Sequence, residues 1–166
     1  MKVLMAVFVT GDMHGDCKRL TSYNFPQGEK LTRDDVLVVT GDFGMIFENT
    51  QTTREIYLQS WFSTKRYTIV FIDGNHDNHT RLRKLPKVEK FGSYVGKVSE
   101  NVFYLQRGYV YTIQGKKFFT MGGALSRDIV LFGEVEWSKI SHFEFRKIKL
   151  KDVPEAFLLC CGDAIV

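Results

Sequence analysis

The sequence predicts an α/β fold whose sheet begins parallel and turns antiparallel, and three observations carry that expectation. Three apolar runs, Val7-Phe8-Val9-Thr10, Val36 to Thr40 and Thr68 to Ile72, each give way to a glycine among polar side chains: Gly11-Asp12-Met13-His14, Gly41-Asp42-Phe43-Gly44 and Asp73-Gly74-Asn75-His76-Asp77. An apolar run bounded by turn residues reads as a buried strand. Asp12 to Asp42 is 30 positions and Asp42 to Asn75 is 33, each the size of one strand–crossover–strand unit. From Val102 onward the runs shorten and glycine turns separate them, which marks antiparallel pairing.

In order, residues 3 to 10 form the first strand. Gly15 and Asp16 open a short helix from about Cys17, and Phe25-Pro26-Gln27-Gly28 closes that unit with turn chemistry. The run Val36 to Thr40 is apolar throughout, as expected of a strand covered on both faces. Thr52-Thr53-Arg54-Glu55 matches a capping box and predicts a helix over 53–65, with Tyr57, Leu58, Trp61 and Phe62 on one apolar face. Arg81 to Lys90 is basic, contains Pro86, and reads as a loop with a little helix and a solvated basic face. His79 reads as a surface residue. Val102 to Leu105, Tyr109 to Ile113 and Lys117 to Met121 predict a β-meander. Beyond Gly123 the periodicity fades; residues 138–151 have no clean period, and Ala156 to Cys161 is a short apolar run.

Bulk properties narrow the class. A chain of 166 residues fits one domain with a real core. A net charge of +4 is too mild to argue for a nucleic-acid partner by itself. Cys17, Cys160 and Cys161 are odd in number and lack framework spacing, so reduced thiols in the cytoplasm are expected. The apolar run near the N-terminus is short, lacks a small-residue cleavage site, and reads as a strand rather than a signal peptide. No segment reaches membrane-spanning length, and no membrane partner is expected.

Right-handed crossovers would set three parallel strands side by side with their ends on one edge. Asp12, His14, Asp42, Asn75 and His76 would then converge on one crevice. Their oxygen and imidazole donors suit Mn²⁺, Fe, Zn²⁺ or Mg²⁺. Asp42, on the central strand, could bridge two ions, one also held by Asp12 and His14 and the other by Asn75. Two such ions can bind a hydroxide and clamp a phosphoryl group. His76 is the natural acid for the leaving oxygen, and Asp77 could orient or charge its imidazole.

Gly11-Asp12-Met13-His14-Gly15, Gly41-Asp42-Phe43-Gly44 and Gly74-Asn75-His76-Asp77 resemble the first three motifs of the calcineurin-like metallophosphoesterases. Arg107-Gly108-Tyr109-Val110-Tyr111 and Met121 through Asp128 resemble the small bacterial and phage members. The resemblance covers about residues 3 to 128. It implies a four-layer α/β/β/α sandwich and a dinuclear site, with Asp12 and His14 on one ion, Asn75 on the other, Asp42 between them and His76 catalytic. Mn²⁺ is the metal expected first, and a phosphorylated small molecule or nucleotide the substrate. Phe43-Gly44-Met45 stands where the protein phosphatases of that superfamily carry Asp-Arg-Gly, which disfavours a protein substrate.

The later histidine motifs of that family have no counterpart here: after His79 the next histidine is His142, in Ser141-His142-Phe143. Three protein groups remain for the first ion and two, Asp42 and Asn75, for the second. A filled first site, a weak or empty second site and an incomplete second sheet are therefore expected. The domain is assigned to residues 1–128, with 129–166 an atypical tail read as a premature or frame-shifted end. Two rivals stand beside the hydrolase: a truncated, weakly active or inactive relative holding at most one metal, and a basic nucleic-acid-binding module.

Overall fold

The structure is a computed structural model in which residues 5–122 and 157–159 are described. It is an α/β fold of two sheets. Strands β1 (Val7–Gly11), β2 (Val36–Thr40), β3 (Thr68–Ile72), β4 (Lys87–Lys90), β5 (Ser93–Lys97) and β6 (Val102–Leu105) form the first, in the order β1-β2-β3-β6-β5-β4. The first three are parallel neighbours, β6 continues parallel to β3, and β5 and β4 follow antiparallel. Strands β7 (Val110–Ile113), β8 (Lys116–Thr120) and β9 (Phe157–Leu159) form the second, with β7 antiparallel and β9 parallel to β8.

Strand alternation divides the core. Leu37, Val39, Ile69, Phe71 and Tyr104 point to one face, where they pack with Leu58 and Phe62 of helix α1 (Thr53–Ser63), Leu82 of helix α2 (His79–Arg83), and Met13, Phe43 and Ile46 from the strand-end loops. Val36, Val38, Val70, Ile72, Phe103 and Leu105 point to the other face, against Tyr111, Ile113 and Phe118 of the second sheet. Each of these side chains contributes about 1.5–3 kcal/mol by leaving water. All five residues of β3 are buried, because helices cover one side and the second sheet the other. Helix, sheet and sheet are thus three layers of the expected sandwich. The fourth layer, and the calls on His142, residues 138–151 and Cys160-Cys161, fall outside the described residues.

The short helix expected from about Cys17 is there as a 3₁₀ helix, Cys17–Leu20, capped by the Asp16 carboxylate accepting from Lys18 N at 3.0 Å. Other expectations need correction. Thr52 does cap α1, its hydroxyl accepting from Glu55 N at 3.2 Å, but the helix ends at Ser63, and Tyr57 is 57% exposed. Its buried face is Leu58, Phe62 and, unexpectedly, the carboxylate of Glu55. The segment 81–90 is not mostly loop: it holds the end of α2 and strand β4, whose alternate exposure at a sheet edge leaves charged residues on its outward side. The expected meander is split between sheets. β6 is wholly buried between β3 and β5, while β7 and β8 form a hairpin in the second sheet.

Among the described residues no helix is long and apolar enough to cross a membrane.

Candidate metal centre

Register sets the strand ends level: Gly11 pairs with Thr40, and Thr40 with Ile72. Asp12, Asp42 and Asn75 follow one, two and three residues beyond that row. The loops that carry them are tied together by backbone. His14 N donates to Asp42 O at 2.7 Å, Gly15 N to Phe43 O at 2.9 Å and Gly41 N to Ile72 O at 3.1 Å. Asp42 Oδ1 accepts the amide of His76 at 2.9 Å. Such close wrapping explains Gly74: a Cβ there would lie 2.0 Å from Asp42 Oδ1.

Asp12, His14 and Asp42 have φ of 49°, 47° and 43°. Non-glycine residues in the left-handed region cost about 1–3 kcal/mol each and persist where their surroundings over-determine them, often at functional sites. Here that backbone carries three candidate metal-ligating side chains that face one another. Their candidate ligand atoms all lie within 4.8 Å. His14 Nε2 is 2.6 Å from Asp12 Oδ1 and 3.9 Å from Asp42 Oδ2. The closer pair lacks hydrogen-bond alignment, for Asp12 Oδ1 is a buried oxygen without a hydrogen-bond partner. Asn75 Oδ1 is another. Burying an unsatisfied acceptor is unfavourable, and a cation relieves it. Burial pushes the Asp42 carboxyl above its ordinary pKa, against the lowering by the His76 amide and by the charges of His76 and His14. Crowded oxygen and imidazole donors with orphaned oxygens fit a divalent metal.

His76 stands beside this cluster, its ring centroid 5.3 Å from that of His14 and nearly edge-on. Asp77, expected to orient the His76 imidazole, directs its carboxylate to backbone. It accepts from Phe43 N at 3.2 Å, Gly44 N at 3.0 Å and Gly74 N at 3.0 Å, binding the second motif to the third. Burial, with the nearby charges of Asp42 and Asp73, outweighs those amides and pushes its pKa up to about 7.

Sequence reasoning missed a buried polar group behind the third motif. Asp73 is fully buried. Its Oδ1 accepts from Tyr104 Oη at 2.8 Å, and its Oδ2 meets the Arg107 guanidinium and His79 Nδ1, the latter at 2.8 Å. Burial alone would raise its pKa, but Arg107 and His79 hold it well below the usual carboxylate range. His79 is thus a core residue, 5% exposed, and not the surface residue expected. The partners His79, Tyr104 and Arg107 lie 6, 31 and 34 positions from Asp73 in the chain, so no local pattern announces the cluster. A polar residue directly after a buried strand, read with Arg107 two positions past β6, was the available signal.

Fold and donor set together define an α/β protein of the metallophosphatase type, with a candidate metal-binding crevice at the ends of its parallel strands. The profile of the calcineurin-like phosphoesterases matches residues 5–160, and the chain belongs to that family. The chemistry of that family in general is metal-dependent hydrolysis of phosphoesters. No curated protein and no solved structure matches the chain.

Proposed function

We propose that this chain hydrolyses a phosphate mono- or diester of a small molecule or nucleotide, using divalent metal held at the ends of β1, β2 and β3. The observation that carries this reading is the convergence of Asp12, His14 and Asp42 in strained backbone, with the orphaned oxygens of Asp12 and Asn75 beside them. Asp12, His14 and Asp42 would hold a first ion. Asp42 and Asn75 would hold a second, which fills less readily because fewer protein groups among the described residues serve it. Mn²⁺ is the ion we favour for this mixed set. When bound, such metals supply a nucleophile at neutral pH and neutralise charge on the phosphoryl oxygens.

The remaining chemistry belongs to the protein. His76, whose backbone amide bonds Asp42 Oδ1, would give a proton to the leaving oxygen. Asp77 is a positioning residue: its hydrogen bonds to Phe43 N, Gly44 N and Gly74 N fix the loop that carries His76. Asp73 anchors the same loop from below through Arg107, Tyr104 and His79.

The test is hydrolysis of p-nitrophenyl phosphate and bis(p-nitrophenyl) phosphate by chelator-stripped protein with and without Mn²⁺. Metal-dependent turnover of either ester is expected. If Mn²⁺ binding saturates and neither ester is cleaved, the chain is the inactive relative.

A further inference from the structure

We infer that Phe47 is the wall against which the crevice takes a planar aromatic portion of its phosphoester, with Arg81 as the positioning residue that holds it there. This rests on the phosphoesterase reading and narrows its substrate class.

Phe47 is half-buried beside His76, ring centroids 6.4 Å apart and planes tilted by 37°. His14, His76 and Phe47 therefore form a row of rings running from candidate metal ligand to proton donor to apolar surface. The residues after Phe47, from Glu48 to Thr50, are exposed. A loop of this kind, without secondary structure, would ordinarily be among the more mobile parts of a fold. Here it is fastened at nearly every residue. Asn78 N donates to Ile46 O at 2.9 Å, and Asn78 Nδ2 reaches Phe47 O, Glu48 O and Asn49 Oδ1 at 3.2–3.4 Å. Arg81 Nη1 donates to Glu48 O at 3.1 Å and Thr50 O at 3.4 Å.

The same guanidinium forks onto Glu55, at 2.6 Å to Oε2 and 2.9 Å to Oε1. Glu55 is 3% exposed. A carboxylate so buried is expensive unless paired, and bidentate pairing gives Arg81 a fixed direction. The clamp joins α1, α2 and the loop, and the backbone it fixes carries Phe47, whose ring stands next to His76. Pre-organised aromatic surface at a reaction centre favours ligands with a flat ring, through offset or edge-to-face contact.

Binding of phenylphosphonate and methylphosphonate to the Mn²⁺-loaded protein, measured by calorimetry, tests this without relying on turnover. The expectation is that phenylphosphonate binds about three- to ten-fold tighter, the size of one aromatic contact. Phe47→Leu, which keeps apolar volume, should abolish most of that preference and leave methylphosphonate binding unchanged. Phe47→Tyr should keep it. Arg81→Ala should weaken the preference with Mn²⁺ affinity intact. Equal affinities in the wild type, or a preference that survives Phe47→Leu, would overturn the inference alone. If methylphosphonate itself does not bind, the phosphoesterase reading fails and takes this inference with it.

Discussion

Asp42 Oδ1 accepts the backbone amide of His76 at 2.9 Å, so the central carboxylate and the proposed acid are fixed to each other by main chain. The His76 side chain takes no part in that bond. His76→Ala should therefore leave Mn²⁺ affinity within about two-fold while kcat on an aryl phosphate falls by about 10²–10⁴, the range for losing a general acid. Equal losses of metal binding and turnover would show instead that His76 acts through the metal centre's structure.

Gly74→Ala probes the same closeness from the other side. Its Cβ would fall 2.0 Å from Asp42 Oδ1 and 2.3 Å from the Asp42 backbone nitrogen, which cannot swing aside as a side chain can. Overpacking of this kind costs about 1–3 kcal/mol, and Asp42 must shift to accommodate it. Urea denaturation should show the destabilisation and calorimetry a weakened Mn²⁺ site. A variant with wild-type stability and metal affinity would contradict the packing described.

Arg107→Met would leave Asp73 buried without its guanidinium, and breaking a buried pair costs about 3–5 kcal/mol. Arg107→Lys should recover part of the loss, because an ammonium cannot reproduce the fork that serves Asp73 and His79 together. The Asp73 carboxyl has a lowered folded pKa. Its stabilisation is present above the unfolded pKa of about 3.9 and lost as pH falls toward the folded value. Asp73→Asn should accordingly show a smaller loss of stability in acid than the wild type.

Asp77 runs the other way. Its folded pKa of about 7 lies above the unfolded value, so its contribution is complete below about pH 3.9 and fades as pH rises through about 7. In chelator, the wild type should lose stability relative to Asp77→Asn across that window. Parallel stability–pH curves for the two proteins would rule it out.

The parallel half of the fold was legible because its signals are local. An apolar run, a glycine and a candidate metal ligand lie within a few positions, and the intervals between them match one strand–crossover–strand unit each. The edge strand β4 was not, since Lys87, Glu89 and Lys90 put charge into a segment that reads as loop. Nor was the division of β6 from β7 and β8, because which sheet a short strand joins depends on partners far along the chain. Type and spacing singled out Asp12, His14, Asp42, Asn75 and His76 as candidates, and the strand register sets the loops that carry them at one end of the sheet. The role of Asp77 was not legible: its amide partners are Phe43, Gly44 and Gly74, two of them from another motif. His79 read as a surface residue, and nothing local tied Asp73 to Arg107; burial joins the three.

The central claim is that Asp12, His14 and Asp42 form a metal centre. Titration of Mn²⁺ into chelator-stripped protein by calorimetry tests it most directly. The account predicts saturable binding of at least one ion per chain, abolished in Asp42→Ala while the circular dichroism stays that of a folded protein. A flat titration, or binding unchanged by Asp42→Ala, would contradict it.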